Sequence, residues 1–209
     1  MSRALLAAAV AACAAVASPA FASPITVTDV EVPLAEVVTI SNPVQVSGYA
    51  GQIVLTTSAG VLDAWCIDVF HDVNVGTTDL SYQYAPITTN YSGTTLSQTQ
   101  ISEIGGLVNY GNALLANGHG TADDSTAVQL AIWSVEDPGF AYTGATQAAA
   151  TEASNLVNMA PQLHGNAVAF QSLQGTQSFA VAAVPEPAAI ALFGVGLVGL
   201  GLLRRPRRG

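Results

Sequence analysis

Residues 97–133 read SQTQISEIGGLVNYGNALLANGHGTADDSTAVQLAIW. Upstream of this stretch the apolar residues alternate, and inside it they fall three and four apart, so the chain changes from strand to helix here. Ser97 with Gln100 three residues on makes a capping box. Ile101, Ile104, Leu107, Val108 and Leu115 then line one helical face, which Gly105-Gly106 weakens and Asn117-Gly118 ends. A second helix starts between Thr121 and Ser125, with Asp123 and Asp124 at its positive end. It runs through Ala127-Val128-Gln129-Leu130-Ala131-Ile132-Trp133 and stops before Pro138. A third, Ala-rich helix covers Thr146 to Ala160 and ends at Pro161.

Working outward, Ile25 to Val32 alternates with period two, as does Val44 to Tyr49, after which Gly51 breaks the pattern. Gln52 to Thr57 and Val61 to Val69 are further strand candidates, joined by the turn-like Ser58-Ala59-Gly60. Val168-Ala169-Phe170 and Ser178 to Val181 read as returning strands. The expected fold is one α+β domain, an antiparallel β meander or sandwich with a central group of three helices and no internal repeat. It occupies residues 23–184, between an N-terminal signal peptide at 1–22 and a tail at 185–209 carrying a C-terminal transmembrane helix.

The two ends differ in chemistry from the middle. Arg3, a run of Ala, Leu and Val from Ala4 to Ala17, and Ala20-Phe21-Ala22 describe a secretory signal peptide cleaved after Ala22. Val10-Ala11-Ala12-Cys13 weakly matches a lipoprotein site, but the apolar run before it is short. The chain holds 5 basic and 14 acidic residues, for a formal charge of −9. All the basic ones are arginines in the two ends, and Ser23 to Val184 has neither Lys nor Arg. Such a polyanion repels phosphate backbones, which excludes nucleic-acid binding. The acid itself reads mainly as solubility outside the cell, with calcium the cation it would suit. Processing leaves a single cysteine, Cys66, so no intramolecular disulfide forms.

Residues 184–209 read VPEPAAIALFGVGLVGLGLLRRPRRG. Pro185-Glu186-Pro187 is stiff and extended. Ala188 to Leu203 is uncharged and apolar, and as a helix it spans about 24 Å. Arg204, Arg205, Arg207 and Arg208 act as a cytoplasmic stop. The succession resembles the PEP-CTERM sorting signal of Gram-negative bacteria. That resemblance implies recognition by an exosortase, processing near Pro185-Glu186-Pro187, prior export by the Sec machinery, and a host that makes exopolysaccharide and biofilm matrix. An ordinary tail anchor is the alternative.

Two phrases of the middle region carry candidate chemistry: Trp65-Cys66-Ile67-Asp68, with the remaining cysteine on a strand, and Gln129 in the apolar body of a helix. A buried Gln needs a hydrogen-bond partner or another reason to be there. Together they resemble the thioester domains of bacterial surface adhesins, with Val128 where that family has Thr. The resemblance implies that Cys66 and Gln129 condense into an internal thioester, Leu130-Ala131-Ile132-Trp133 completing the helix motif. A nucleophile on a polysaccharide, host or matrix surface would then attack Gln129. His71 is the possible general base. With no Lys, the module cannot consume the thioester through its own lysines.

Other readings of the same residues are a structural or binding module whose Cys66 is an inert core residue, and an exported hydrolase using Cys66 with His71 or His119. Asp68, His71 and Asp72, with His119, Asp123 and Asp124, could form a metal site, although an acidic surface loop suits them better and EF-hand spacing is absent. Asn90-Tyr91-Ser92 is a glycosylation sequon. The expectation is an exported, exosortase-sorted surface or matrix protein with a role in adhesion or biofilm. It has no metal and no cofactor, is not a conventional enzyme, and reaches the membrane through its C-terminal helix.

Overall fold

The computed structural model describes residues 23–116 and 118–183. The expected signal peptide and sorting tail lie outside the described residues. Among the described residues, seven strands and three α-helices follow in order: β1 (Ile25–Asn42), β2 (Val46–Thr57), β3 (Gly60–Cys66), β4 (Leu80–Ala85), α1 (Gln98–Leu115), α2 (Ala122–Glu136), β5 (Ala141–Thr143), α3 (Gln147–Met159), β6 (Ala167–Ser172) and β7 (Phe179–Ala182). A 3-10 turn, Ala160–Gln162, follows α3. The α+β class and the three central helices are as the periodicity indicates.

The expected helix starts are those observed. Ser97 accepts from Gln100 N–H while the Gln100 side chain returns to the Ser97 backbone, and Thr121 and Asp124 do the same for α2. Each box satisfies two of the donors that a helix start leaves open. Thr146 caps α3. Gly105 and Gly106 lie against the backbone of Gly165 and Leu163. They weaken the helix but admit a close crossing by the chain entering β6.

The strands differ from expectation in extent. β1 is a single 18-residue strand that continues past Val32. Pro33 sits where the β1–β2 register shifts, between Glu31 and Leu34, the irregularity at which a strand tolerates a residue with no N–H. Gly51 does not break β2. It pairs with Ala35, and a Cβ there would run into the Leu34 carbonyl and the Ser125 hydroxyl. The glycine marks a close approach of α2 rather than a strand end. β3 stops at Cys66, short of Val69, while β4 and the three-residue β5 are strands that alternation did not reveal.

A meander describes only β1 to β3. Every pairing is antiparallel, and the sheet order is β2-β3-β7-β6-β4-β1-β5, with β1 also bonded to β2. The hydrogen bonds of β1-β2-β3-β7-β6-β4 therefore close on themselves, and β5 attaches at the far end of β1. Closure hides the edges that an open meander would present. Tyr82 stacks on Phe170 at 4.7 Å and lies 5.7 Å from Phe179.

α2 packs on β1 and β2 between α1 and α3. Eleven of its fifteen residues are buried, so it is enclosed nearly all round as an interior helix is. Hydroxyls at its start hold the strands. Ser125 Oγ accepts from Gln52 N–H at 2.7 Å. Thr126 Oγ1 donates to Ala50 O at 2.8 Å and accepts from Glu36 N–H at 3.0 Å. These bonds fix how far α2 reaches along β2, and hence what Gln129 faces one turn later.

Candidate functional site at Cys66 and Gln129

Cys66 ends β3. Its neighbour on β7 is Phe179, and the ladder continues one residue beyond the strand, where Ile67 N–H donates to Ser178 O at 3.2 Å. On its other side β2 has already run out: the last pair is Ile53 with Ala64, and Gln52 N–H has turned to Ser125. The backbone of Cys66 therefore lacks a strand partner on that side, and Gln129 fills the place. Its Oε1 accepts from Cys66 N–H at 2.9 Å, and its Nε2 donates to Cys66 O at 2.9 Å. Cys66 is 2 % exposed and Gln129 0 %. The polar residue that looked out of place in an apolar helix thus pairs with the backbone of the cysteine, 63 residues away in the chain.

The sulfur faces a different set of groups. Sγ accepts from Asp68 N–H at 3.3 Å and from Gln177 Nε2 at 2.8 Å, and its own proton points to Asp68 O at 3.3 Å. Gln177 is held in turn by Tyr82, whose hydroxyl donates to Gln177 O at 3.0 Å. Burial pushes the Cys66 thiol up to about 12. The Asp68 backbone bond opposes this, the negative fields of Glu136 and Asp68 add to it, and the Trp133 indole lowers it slightly. At neutral pH this is a thiol and not a thiolate, so any attack by sulfur needs a proton acceptor.

Below Gln129, α2 carries Trp133 and Glu136 on the same stripe, four and seven residues on. Glu136 is 1 % exposed. Neither of its carboxyl oxygens nor Trp133 Nε1 has a hydrogen-bond partner, and these are the buried side-chain polar atoms left unpaired among the described residues. The indole therefore senses the thiol without closing a bond to it. Burial, reinforced by Asp68 and Asp137, holds the Glu136 carboxyl well above the usual carboxylate range.

His71 lies beside the site, in a cleft that neither Cys66 nor Gln129 lines. Its Nδ1 is 2.8 Å and 3.0 Å from the two Asp68 carboxylate oxygens. Its side chain is 54 % exposed. Both residues line a cleft of about 400 Å³, with Thr88, Thr89, Gln171 and Ser178 among its other walls. The structure brings His71 to the thiol only through Asp68, whose side chain holds the imidazole and whose backbone holds the sulfur.

The remaining candidates separate. His119 is exposed in the loop before α2. Asp123 bonds Thr146, and Asp124 closes the α2 capping box. No cluster of three or more His, Cys, Asp or Glu placed to hold a metal occurs among the described residues. Asn90 is buried, with Oδ1 accepting from Ser92 and Thr94 N–H and Nδ2 donating to Glu136 O, so the sequon asparagine is a loop brace. Sequence reasoning missed Gln177 and Glu136 and saw Trp133 only as part of the helix motif. For Glu136 a signal existed, a carboxylate on the stripe of Gln129. For Gln177 there was none, since nothing local distinguishes it in a polar loop.

Comparison with known proteins adds one match. Residues 183–208 match the PEP-CTERM protein-sorting motif, which covers the expected tail. The chain carries the address of an exported, surface-targeted protein processed by an exosortase at the membrane, and so it is a sorted substrate rather than an enzyme. No curated protein and no solved structure matches it. No helix among the described residues is long and apolar enough to cross a membrane, and the expected anchor, Ala188 to Leu203 with its four arginines, lies outside them.

Proposed function

We propose that the chain is a surface or extracellular-matrix protein of a Gram-negative bacterium, acting in adhesion or biofilm structure, and that Cys66 and Gln129 form an internal thioester for covalent attachment. The observation that carries this reading is the amide of Gln129 held against Cys66 by hydrogen bonds at both its oxygen and its nitrogen. Holding two reactants in register removes much of the entropic barrier. The Cys66 N–H aimed at Oε1 also polarises the carbonyl, as an oxyanion donor does.

In the reaction the sulfur leaves Asp68 N–H and Gln177 and bonds Cδ of Gln129. The Cδ–Nε2 bond breaks, and ammonia leaves with the thiol proton. Oε1 keeps its donor, and the costs are the sulfur's bonds to Asp68 N–H and Gln177 and a buried Cys66 carbonyl left without its Nε2 donor, the last about 1–3 kcal/mol. A nucleophile on a polysaccharide or matrix surface enters by the cleft at Asp68. His71, oriented by Asp68, takes its proton as it attacks Cδ. Cys66 departs as the leaving group towards the Gln177 and Asp68 donors. The sorting tail delivers the module to the surface in three stages. The Sec machinery exports it, the C-terminal helix retains it in the inner membrane, and an exosortase then processes it near Pro185-Glu186-Pro187.

A second reading draws on the same amide pairing. Gln129 then serves only to satisfy the unpaired backbone of Cys66, and the module is structural. Incubating the full chain with a biotinylated primary amine separates the two. The thioester reading expects the probe on Gln129 in peptide maps, one free Cys66 thiol released per probe, and no labelling in Cys66→Ala. An unlabelled Gln129, with Cys66 titrating fully as a thiol once denatured, would sink it.

A further inference from the structure

We propose that the groove between the three helices and β5 binds an amino sugar bearing a free ammonium group, as one unit of an amine-bearing polysaccharide. The binding is non-covalent and does not rest on the thioester reading. The groove holds about 740 Å³ and lies between the start of α1, the end of α2, β5 and α3. It shares no lining residue with the cleft of Asp68 and His71. Its floor is aromatic. Phe140 and Tyr142 are two apart along the chain entering β5, which puts them on one side of it. Their ring centroids are 5.7 Å apart at an interplanar angle of 31°. Phe140 rests in turn on the buried Trp133 at 5.4 Å, so the pair is anchored to the core. Both rings are half-buried and line the groove.

The walls are polar. Gln100 and Glu103 stand three apart on one face of α1. Gln100 Nε2 donates to Val135 O at 2.9 Å while its Oε1 accepts from Ser97 N–H at 3.1 Å, which ties this wall to the end of α2. Ser134 Oγ donates to Leu130 O at 2.7 Å, so its lone pairs are left to accept from a ligand hydroxyl. The Asn158 amide on α3 offers both a donor and an acceptor. Glu103 is half-buried, and the described residues contain no Lys or Arg to pair with it. Each kind of group selects one part of the ligand. A sugar ring has an apolar C–H face and a hydroxyl edge, so it lies on Phe140 and Tyr142 with its hydroxyls towards Ser134 and Asn158. An ammonium on that ring is attracted by the Glu103 carboxylate and by the faces of the aromatic rings. Acidic sugars are disfavoured, because the module has no Lys or Arg to meet them and its field repels them.

The test is calorimetric titration of the full chain carrying Cys66→Ala, where no acyl transfer can occur, in about 0.15 M salt to screen diffuse attraction. The probes are a glucosamine tetramer, its fully N-acetylated counterpart, a glucose tetramer and a lysine tetrapeptide. The glucosamine tetramer is expected to bind, and the other three to bind at least about tenfold more weakly. Glu103→Gln and Tyr142→Ala, added singly, are each expected to weaken the glucosamine tetramer about tenfold. Asp63→Asn removes one exposed charge on β3, outside the groove, and is expected to leave the affinity unchanged. Absence of binding by the glucosamine tetramer overturns the proposal. So does equal weakening by Asp63→Asn and Glu103→Gln, which would reduce the effect to the general attraction of a polyanion. Equal binding of the N-acetylated or glucose tetramer overturns the ammonium preference, and equal binding of the lysine peptide overturns the sugar. Should Tyr142→Ala fail to fold, Glu103→Gln, isosteric and partly exposed, decides alone.

Discussion

Replacing Gln129 by Leu in a Cys66→Ala background, where no covalent chemistry can occur, is expected to lower the unfolding free energy by about 2–4 kcal/mol. The side chain is fully buried and closes two bonds to the backbone of residue 66 at a point where β2 no longer reaches. Leu removes both partners and leaves a buried N–H and a buried C=O, at about 1–3 kcal/mol each. Its apolar burial returns part of that loss. Chemical denaturation of the two chains gives the difference directly. A change below about 0.5 kcal/mol, within the range of an ordinary surface substitution, would mean that the amide does not hold the strand end, and the placement of Gln129 against Cys66 would lose its physical basis.

The second large effect concerns pH. Burial raises the Glu136 carboxyl well above its ordinary 4.5 in the folded chain. The unfolded chain releases this proton above about pH 4.5, while the folded chain keeps it to a higher pH. Folding therefore takes up a proton between the two values, and stability falls as pH rises through that window, by about 1.4 kcal/mol per pH unit. Below the unfolded value both states are protonated and nothing is lost. Glu136→Gln cannot ionise, so it is expected to be the more stable chain at pH 7, with its advantage shrinking towards zero as pH falls to 4.5. Urea melts of both proteins across this range check it. The other acids contribute to both chains and cancel in the difference. Parallel pH dependences would contradict a buried, neutral Glu136.

Much of this fold was legible in the sequence because helix ends carry local chemistry. Ser97 with Gln100, Thr121 with Asp124, and Pro138 and Pro161 announce helix limits without reference to anything distant. The strands were less legible. Pro33 and Gly51 look like terminators, yet each sits inside a strand for a tertiary reason, one at a register shift and the other beneath Ser125 of α2. β5 is too short for a period to register, and the closing pair between β1 and β4, Ile25 with Tyr82 to Val27 with Leu80, joins segments more than fifty residues apart.

The site divides in the same way. Cys66 and Gln129 stand out locally, one as the remaining thiol and the other as an amide in an apolar helix, and the fold brings them together. The local sequence does not say that the sulfur would meet Gln177 rather than His71, because the loop before β7 is set by Tyr82 on another strand. Nor does it mark Glu136 as orphaned, since a lack of partners belongs to the packed interior and not to the residue.

The absence of Lys and Arg between Ser23 and Val184 bears on both core and surface. No Lys or Arg neutralises Glu136 or shifts the Cys66 thiol downward, so burial raises both with no such cation to oppose it, and on the thioester reading no internal lysine would compete for an acyl group at Gln129. For the proposed electrophile, which would have to survive export and sorting, a module without lysines and a buried sulfur are mutually consistent features.

The most direct measurement is the intact mass of the full chain purified without amine buffers, alongside Cys66→Ala and Gln129→Ala. Wild type is expected to lie about 17 Da below its sequence mass, methylamine to convert that species to an adduct, and both variants to show their full sequence masses. A wild-type chain at its full mass, unchanged by methylamine, would contradict the internal thioester.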